Sequence, residues 1–184
     1  MGCSRRVLSD LNGDWSAPAL FVGEAPGRLG AEKTGIPLFG DRTGDRFELL
    51  LSEMGLKRNE IFITNAILCN PRDEHGNNGS PSASEIRNCE EFLKRTIETV
   101  NPRVVITLGR VALEALKSIE PHDANLKKDV GKIRPWGIRQ LIVLYHPGPR
   151  TVVHRSWAAQ LCDARKAGML IQRAVAGLSA AAAN

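Results

Sequence analysis

The chain has 184 residues, 42% of them hydrophobic, which is enough for one domain with a real core and ordinary for a soluble globular protein. The net charge of +5 and pI near 9.3 permit a polyanionic partner without requiring one. No apolar stretch reaches bilayer length, and the start Met-Gly-Cys-Ser-Arg-Arg lacks the apolar centre of a secretory signal. Arg6 stands where a myristoylation motif needs Ser or Thr, so the expected location is cytoplasmic.

Apolar, strand-like runs fall at 18–22, 60–68, 103–108 and 139–145. The first ends abruptly in Gly23-Glu24-Ala25-Pro26-Gly27, a carboxylate followed by a turn of small residues and proline. Between the runs lie helical patterns: Phe47, Leu50, Leu51 and Met54; Ile86, Cys89, Leu93, Ile97 and Val100; and a short Ala/Leu-rich stretch over Val111 to Leu116. Ser82 or Ser84 is placed to cap the second of these. The last helix carries the longest stripe, through Val153, Trp157, Leu161, Ala164, Gly168, Ile171, Val175 and Leu178. Strands alternating with helices predict an α/β fold: a single-domain three-layer αβα sandwich around a central, mainly parallel, four-stranded sheet. The domain is expected over 1–178, with a frayed Ala-rich tail over 179–184.

Right-handed crossovers put all the strand carboxyl ends on one edge, where α/β proteins place chemistry. Those ends are Gly23-Glu24, Asn65 to Pro71, Leu108-Gly109 and His146-Pro147. The polar, glycine-rich stretch from Pro71 to Pro81 follows Asn65 on this edge and reads as a solvated loop. Cys3, Cys69, Cys89 and Cys162 are widely spaced, with no Cys-x-x-Cys pair and no Cys/His cluster of zinc spacing. Cys89 falls on an apolar helix stripe, where a buried Cys is an ordinary core residue. No Walker-type loop or dinucleotide fingerprint is present.

Four pieces occur in order: Gly-Glu-Ala-Pro-Gly at 23–27; the loop from Lys33 to Asp45 containing Pro-Leu-Phe-Gly-Asp-Arg-Thr-Gly-Asp; Thr64-Asn65-Ala66; and His-Pro-Gly-Pro-Arg at 146–150. Together they resemble the uracil-DNA glycosylase superfamily over residues 19 to 155. Gly-Glu-Ala-Pro-Gly is similar to the family 4 form, whereas Gly-Asp-Arg-Thr-Gly-Asp is similar to family 5. The resemblance implies a monofunctional DNA-repair enzyme that flips uracil out of single- or double-stranded DNA and hydrolyses its glycosidic bond. An inactive damage-binding relative, or a glycosylase for another deaminated base such as hypoxanthine, are the alternatives. No membrane partner is implied, and the expected state is a monomer.

The resemblance also assigns roles. Asn65 would read the uracil edge, accepting from N3–H and donating to O4, with Gly23 and Ala25 beside the base. His146 would donate to uracil O2 as a neutral imidazole. Glu24 would act on the sugar side by electrostatics or by activating water. Other branches position water with an Asp where this chain has Ala25, so either Glu24 or Asp41 takes that role. The stacking position is Phe in the family and aligns with Leu38 here; a one-residue shift makes Phe39 the stacking residue, the favoured assignment. Gly148 and Arg150 would contact DNA, Arg150 at the wedge position. In the resembled branches four Cys hold a [4Fe–4S] cluster. Cys69 and Cys89 match the last two ligand positions and Cys3 the first, but Arg6 occupies the second, so neither metal nor cluster is expected.

Overall fold

The computed structural model describes residues 5 to 181; side chains beyond residue 176 and the call on Cys3 lie outside what it describes. The sheet has five strands, in the order β2-β1-β3-β5-β4. They are β1 (Ala19–Gly23), β2 (Phe62–Asn65), β3 (Val104–Leu108), β4 (Ile133–Trp136) and β5 (Arg139–Leu144). The first three and β5 pair parallel, with Gly23 opposite Asn65 and Leu108 opposite Leu144. The helices are α1 (Ala31–Thr34), α2 (Arg42–Met54), α3 (Ala83–Val100), α4 (Arg110–Lys117), α5 (Leu126–Asp129) and α6 (Trp157–Ala181).

The four expected strands are present, and β4 is the addition. It pairs antiparallel with β5 through a two-residue turn at Gly137-Ile138, where Gly137 has φ of +53°. Pro135 hides this strand from a sequence reading, since proline cannot donate to a ladder; an edge strand tolerates it.

Alternation along the buried strands builds a core on each face. Leu20, Val22, Phe62, Val105 and Val143 turn toward α3 and α4, while Phe21, Ile63, Ile106, Ile142 and Leu144 turn toward α2 and α6. Each such side chain contributes about 1.5–3 kcal/mol on full burial. Ser82 forms the capping box of α3, its hydroxyl accepting from Glu85 N while the Glu85 carboxylate accepts from Ser82 N. Two expectations change at α6. Val153 lies before the helix in a 3-10 turn and is 78% exposed, so the buried stripe starts at Trp157. The helix then continues through Ala181, into the segment expected to fray. No described helix is long and apolar enough to cross a membrane.

The strand order reverses beside β1: one crossover leads out to β2, the next returns past β1 to β3. The crevice at that switch point, outside the carboxyl ends, is where an open α/β sheet receives ligands.

Candidate active site

A cavity of about 790 Å³ opens at this edge, its walls including Glu24, Ala25, Leu38, Asp41, His146 and Arg150. Backbone pairing continues past the strands and fixes its floor. Ala66 N donates to Gly23 O and Ile67 N donates to Glu24 O, holding the end of β1 against the turn after β2.

Asn65, the last residue of β2, lies at this edge with 2% exposure; it is not among the residues lining the cavity, and its amide makes no hydrogen bond among the described residues. The local backbone bond that would make it a structural strand-ending Asn is absent. Its oxygen lies across Gly23 so closely that a Cβ there would stand 2.5 Å away, which is why β1 ends in glycine. An amide without a partner in the protein keeps its donor and acceptor for a ligand.

His146 follows β5, and its tautomer is set by geometry. Gly148 N–H donates to Nδ1 at 3.0 Å, which makes Nδ1 an acceptor and leaves Nε2 carrying the proton. Position 148 must be glycine, because a Cβ would come within 2.8 Å of that same Nδ1. Desolvation pushes the imidazole pKa down to about 4, against a partial upward pull from the Asp41 carboxylate. At neutral pH the ring is therefore an uncharged Nε2–H donor.

Glu24 carries a side-chain carboxylate with no hydrogen bond or ion pair among the described residues. Burial raises its pKa above the ordinary carboxylate value, with the Arg110 charge opposing. Arg110 opens α4 at the end of β3, and the sequence reading passed over it. Asp41, the rival carboxylate, is the N-cap of α2: one oxygen accepts from Thr43 N at 3.0 Å and Gly44 N at 2.9 Å. It lines the cavity near His146 but is half committed to the helix.

Of the two residues considered for the stacking position, Leu38 lines the cavity and Phe39 does not. Phe39 is 44% exposed and does not line the cavity, whereas Leu38 is 8% exposed and does. Arg58 causes this, its guanidinium donating to Pro37 O and Leu38 O, both at 2.9 Å, while pairing with Glu48. Phe39 turns outward toward that guanidinium, 5.8 Å from its ring centre. The clamped turn holds Leu38 at φ of +50°, a strained conformation for a non-glycine residue and one that clusters at functional sites.

The stretch from Pro71 to Pro81 is mostly exposed, as expected of a solvated loop, and it is pinned to the rest of the site by side-chain amides. Asn70 Nδ2 donates to Pro26 O at 2.6 Å and to Asn78 Oδ1 at 2.8 Å, and Arg28 N donates to the same Asn78 oxygen at 2.9 Å. Arg72 grips both carboxylate oxygens of Glu32. Asn70, Asn77 and Asn78 thereby join the cavity wall. Their signal in the sequence was an Asn-rich segment on the correct edge, directly after Asn65. His75 stays 75% exposed at the side chain, paired loosely with Glu74, and does not line the cavity.

The residues present do not fit a four-thiolate cluster. Arg6 stands at the second ligand position, its guanidinium 5.1 Å over the Phe92 ring of α3, three residues from Cys89. A guanidinium is always protonated and cannot ligate iron. Among the described residues no group of three or more His, Cys, Asp or Glu is arranged to hold a metal, and the thiols of Cys89 and Cys162 are free.

The doubly wound α/β sheet thus gathers an uncommitted amide, a neutral imidazole donor and a half-buried carboxylate at its switch-point edge. The model of the uracil DNA glycosylase superfamily matches residues 12–166, and the chain belongs to that family. It is 32% identical over 140 residues to the type-4 uracil-DNA glycosylase of Archaeoglobus fulgidus, covering 73% of this chain and 67% of that protein. It is 36% identical over 141 residues to the type-4 enzyme of Saccharolobus solfataricus, covering 73% and 62%. The type-5 uracil-DNA glycosylase of Pyrobaculum aerophilum is 29% identical over 153 residues, covering 76% and 65%. Relatives of both types accord with the mixed motifs, and the matched segments span about two thirds or slightly less of these relatives' lengths.

Proposed function

We propose that the chain is a monofunctional uracil-DNA glycosylase of the base-excision repair pathway. The observation that carries this reading is the uncommitted amide of Asn65 at the strand edge where the cavity opens, together with His146 in the cavity wall, its Nε2 carrying the proton. Uracil offers an N3–H donor flanked by two carbonyl acceptors. An Asn amide complements N3–H and O4 together, whereas cytosine presents the reverse pattern at that edge.

In the proposed reaction the C1′–N1 bond breaks with its electron pair moving to the base. Negative charge grows on uracil O2, where the His146 donor meets it without first having to lose a proton. Positive charge grows on the sugar, facing the Glu24 carboxylate. Water then adds to C1′, giving its proton to Glu24, and the released uracil anion is finally protonated. Glu24 is preferred over Asp41 for the water because its carboxylate is uncommitted, while Asp41 caps α2. Leu38 supplies the apolar wall against the base, and Gly148-Pro149-Arg150 form the element that enters the DNA stack.

The same reading has the chain work without an iron–sulfur cluster, supported by Arg6 at a ligand position and its seat on Phe92. About four irons per chain with thiolate–iron absorbance in the purified protein would overturn that part. The activity itself is tested with single-stranded and duplex DNA carrying one uracil, followed by alkaline cleavage of abasic sites. Strand breaks at the uracil are expected; none at any enzyme excess sinks the reading.

A further inference from the structure

Beyond the cavity, the first two turns of α2 carry an arrangement that neither catalysis nor stability explains. Arg42 and Arg46 stand one helical turn apart, on the same face, about 5–6 Å between Cβ atoms. Neither forms an ion pair or hydrogen bond among the described residues. Asp41 is engaged in the cap, and Asp45 pairs with neither of them. Like charges at this spacing repel, and the amino end of a helix disfavours cations. Arg46 is nonetheless held in place, its guanidinium stacked 4.1 Å above the ring of Trp157, the first residue of α6. Burial, with the neighbouring Arg42 charge, holds its pKa below the ordinary arginine value.

The position of the pair names its ligand. Thr43, next to Arg42, lines the cavity together with Gly148 and Arg150, and Trp157 follows Arg150 by seven residues. Arg28 and Arg150 at the cavity wall are likewise without an acidic partner among the described residues. Unpaired guanidiniums thus continue from the wedge along α2. A guanidinium fork suits phosphate, and one already ordered on an indole loses less side-chain entropy when it binds.

We propose that Arg42 and Arg46, the latter shelved on Trp157, form a phosphate-binding site for the DNA strand flanking the extruded nucleotide. This rests on the reading of the cavity as a pocket for a base taken from DNA. Strand contact here would spread the binding energy over several nucleotides instead of leaving it at the pocket alone.

The test measures anisotropy of a uracil-free oligonucleotide, single-stranded and duplex, over a salt series. Arg42→Gln/Arg46→Gln should weaken binding about tenfold near 100 mM salt. It should also flatten the log affinity against log salt slope by about 1.4 on single strands or about 1.8 on duplex, for two lost contacts. Trp157→Leu, with circular dichroism confirming its fold, should lose part of the Arg46 share. The control, Lys57→Gln/Arg173→Gln, removes two exposed charges outside the cavity wall and should change neither quantity. An unchanged slope in the α2 variant, or an equal loss in the control, overturns the site. Uracil excision is scored separately: wild type without strand breaks but with the slope effect sinks the glycosylase reading and leaves the phosphate site standing. Excision without the slope effect does the reverse.

Discussion

Two buried asparagines flank the same strand and are used in opposite ways. Asn12, 1% exposed, lies in the turn before β1; its Nδ2 donates to Ile63 O of β2 at 2.6 Å and its Oδ1 accepts from Ser9 N at 2.9 Å. Asn65 ends β2 with 2% exposure and no partner for its amide among the described residues. Both residues are almost wholly buried. Asn12 spends its hydrogen bonds fastening the N-terminal segment to the sheet, while Asn65 keeps them for something else. Burial of a polar side chain therefore does not mark a site; what sets Asn65 apart is an uncommitted amide at the carboxyl edge of the sheet.

The widest separation between the two should come from Asn65→Ala and Asn12→Ala made in parallel. Asn65→Ala is expected to lower kcat/KM on uracil DNA by about 10²–10³-fold, the usual cost of one oriented donor in an active site. Its denaturation midpoint should change little, since no hydrogen bond within the protein is lost. Asn12→Ala should lose about 1–3 kcal/mol of stability with normal activity per folded molecule, because it strands Ile63 O and Ser9 N. If the stability losses come out the other way round, the contrast fails.

Glu24→Gln sharpens the comparison on the chemical side. Removing the proposed base is expected to cost about 10²-fold in kcat. In the wild type, kcat/KM should fall on the acid side through a pKa above the ordinary carboxylate value, because desolvation raises Glu24 and only its ionised form takes a proton. That limb should vanish in Glu24→Gln, and a limb that persists would move the role to Asp41.

His146 adds a stability window. Its folded pKa of about 4 lies below the ordinary histidine value near 6.5, so the unfolded chain binds the proton more readily. Its contribution is fully present above about 6.5 and is lost as pH falls from there toward 4. Urea midpoints against pH should show this fall in the wild type and less of it in His146→Asn.

The smallest effect should come from Leu38→Phe. An aromatic wall adds about 0.5–1.5 kcal/mol of stacking, which predicts a two- to tenfold lower KM with kcat little changed. A rise in KM would mean that the Arg58-clamped turn cannot seat a ring facing inward.

Much of this was legible in the chain before the structure. The four long strands carry continuous Val, Ile and Leu runs, and their carboxyl ends alone were enough to bring Glu24, Asn65 and His146 to one edge. The misses have separate physical causes. Strand β4 is short, at an edge and interrupted by Pro135, so neither periodicity nor propensity marks it. The facing of Leu38 and Phe39 depends on Arg58, some twenty residues away, whose forked donors turn two carbonyls and with them the side chains. The wall built by Asn70 and Asn78 rests on amide bonds across the chain to Pro26 and Arg28, and polar composition looks the same whether a loop is pinned or free.

The Arg28 amide gives that last feature a practical use. Its N–H is secured by a single side chain, Asn78, on a segment anchored also through Asn70 and by the Arg72–Glu32 pair. One backbone proton is thus a gauge of the mouth of the cavity, and its hydrogen–deuterium exchange rate reads how often the two walls part. A nucleotide seated between them should slow that exchange by the same factor that it shifts the population toward the closed form.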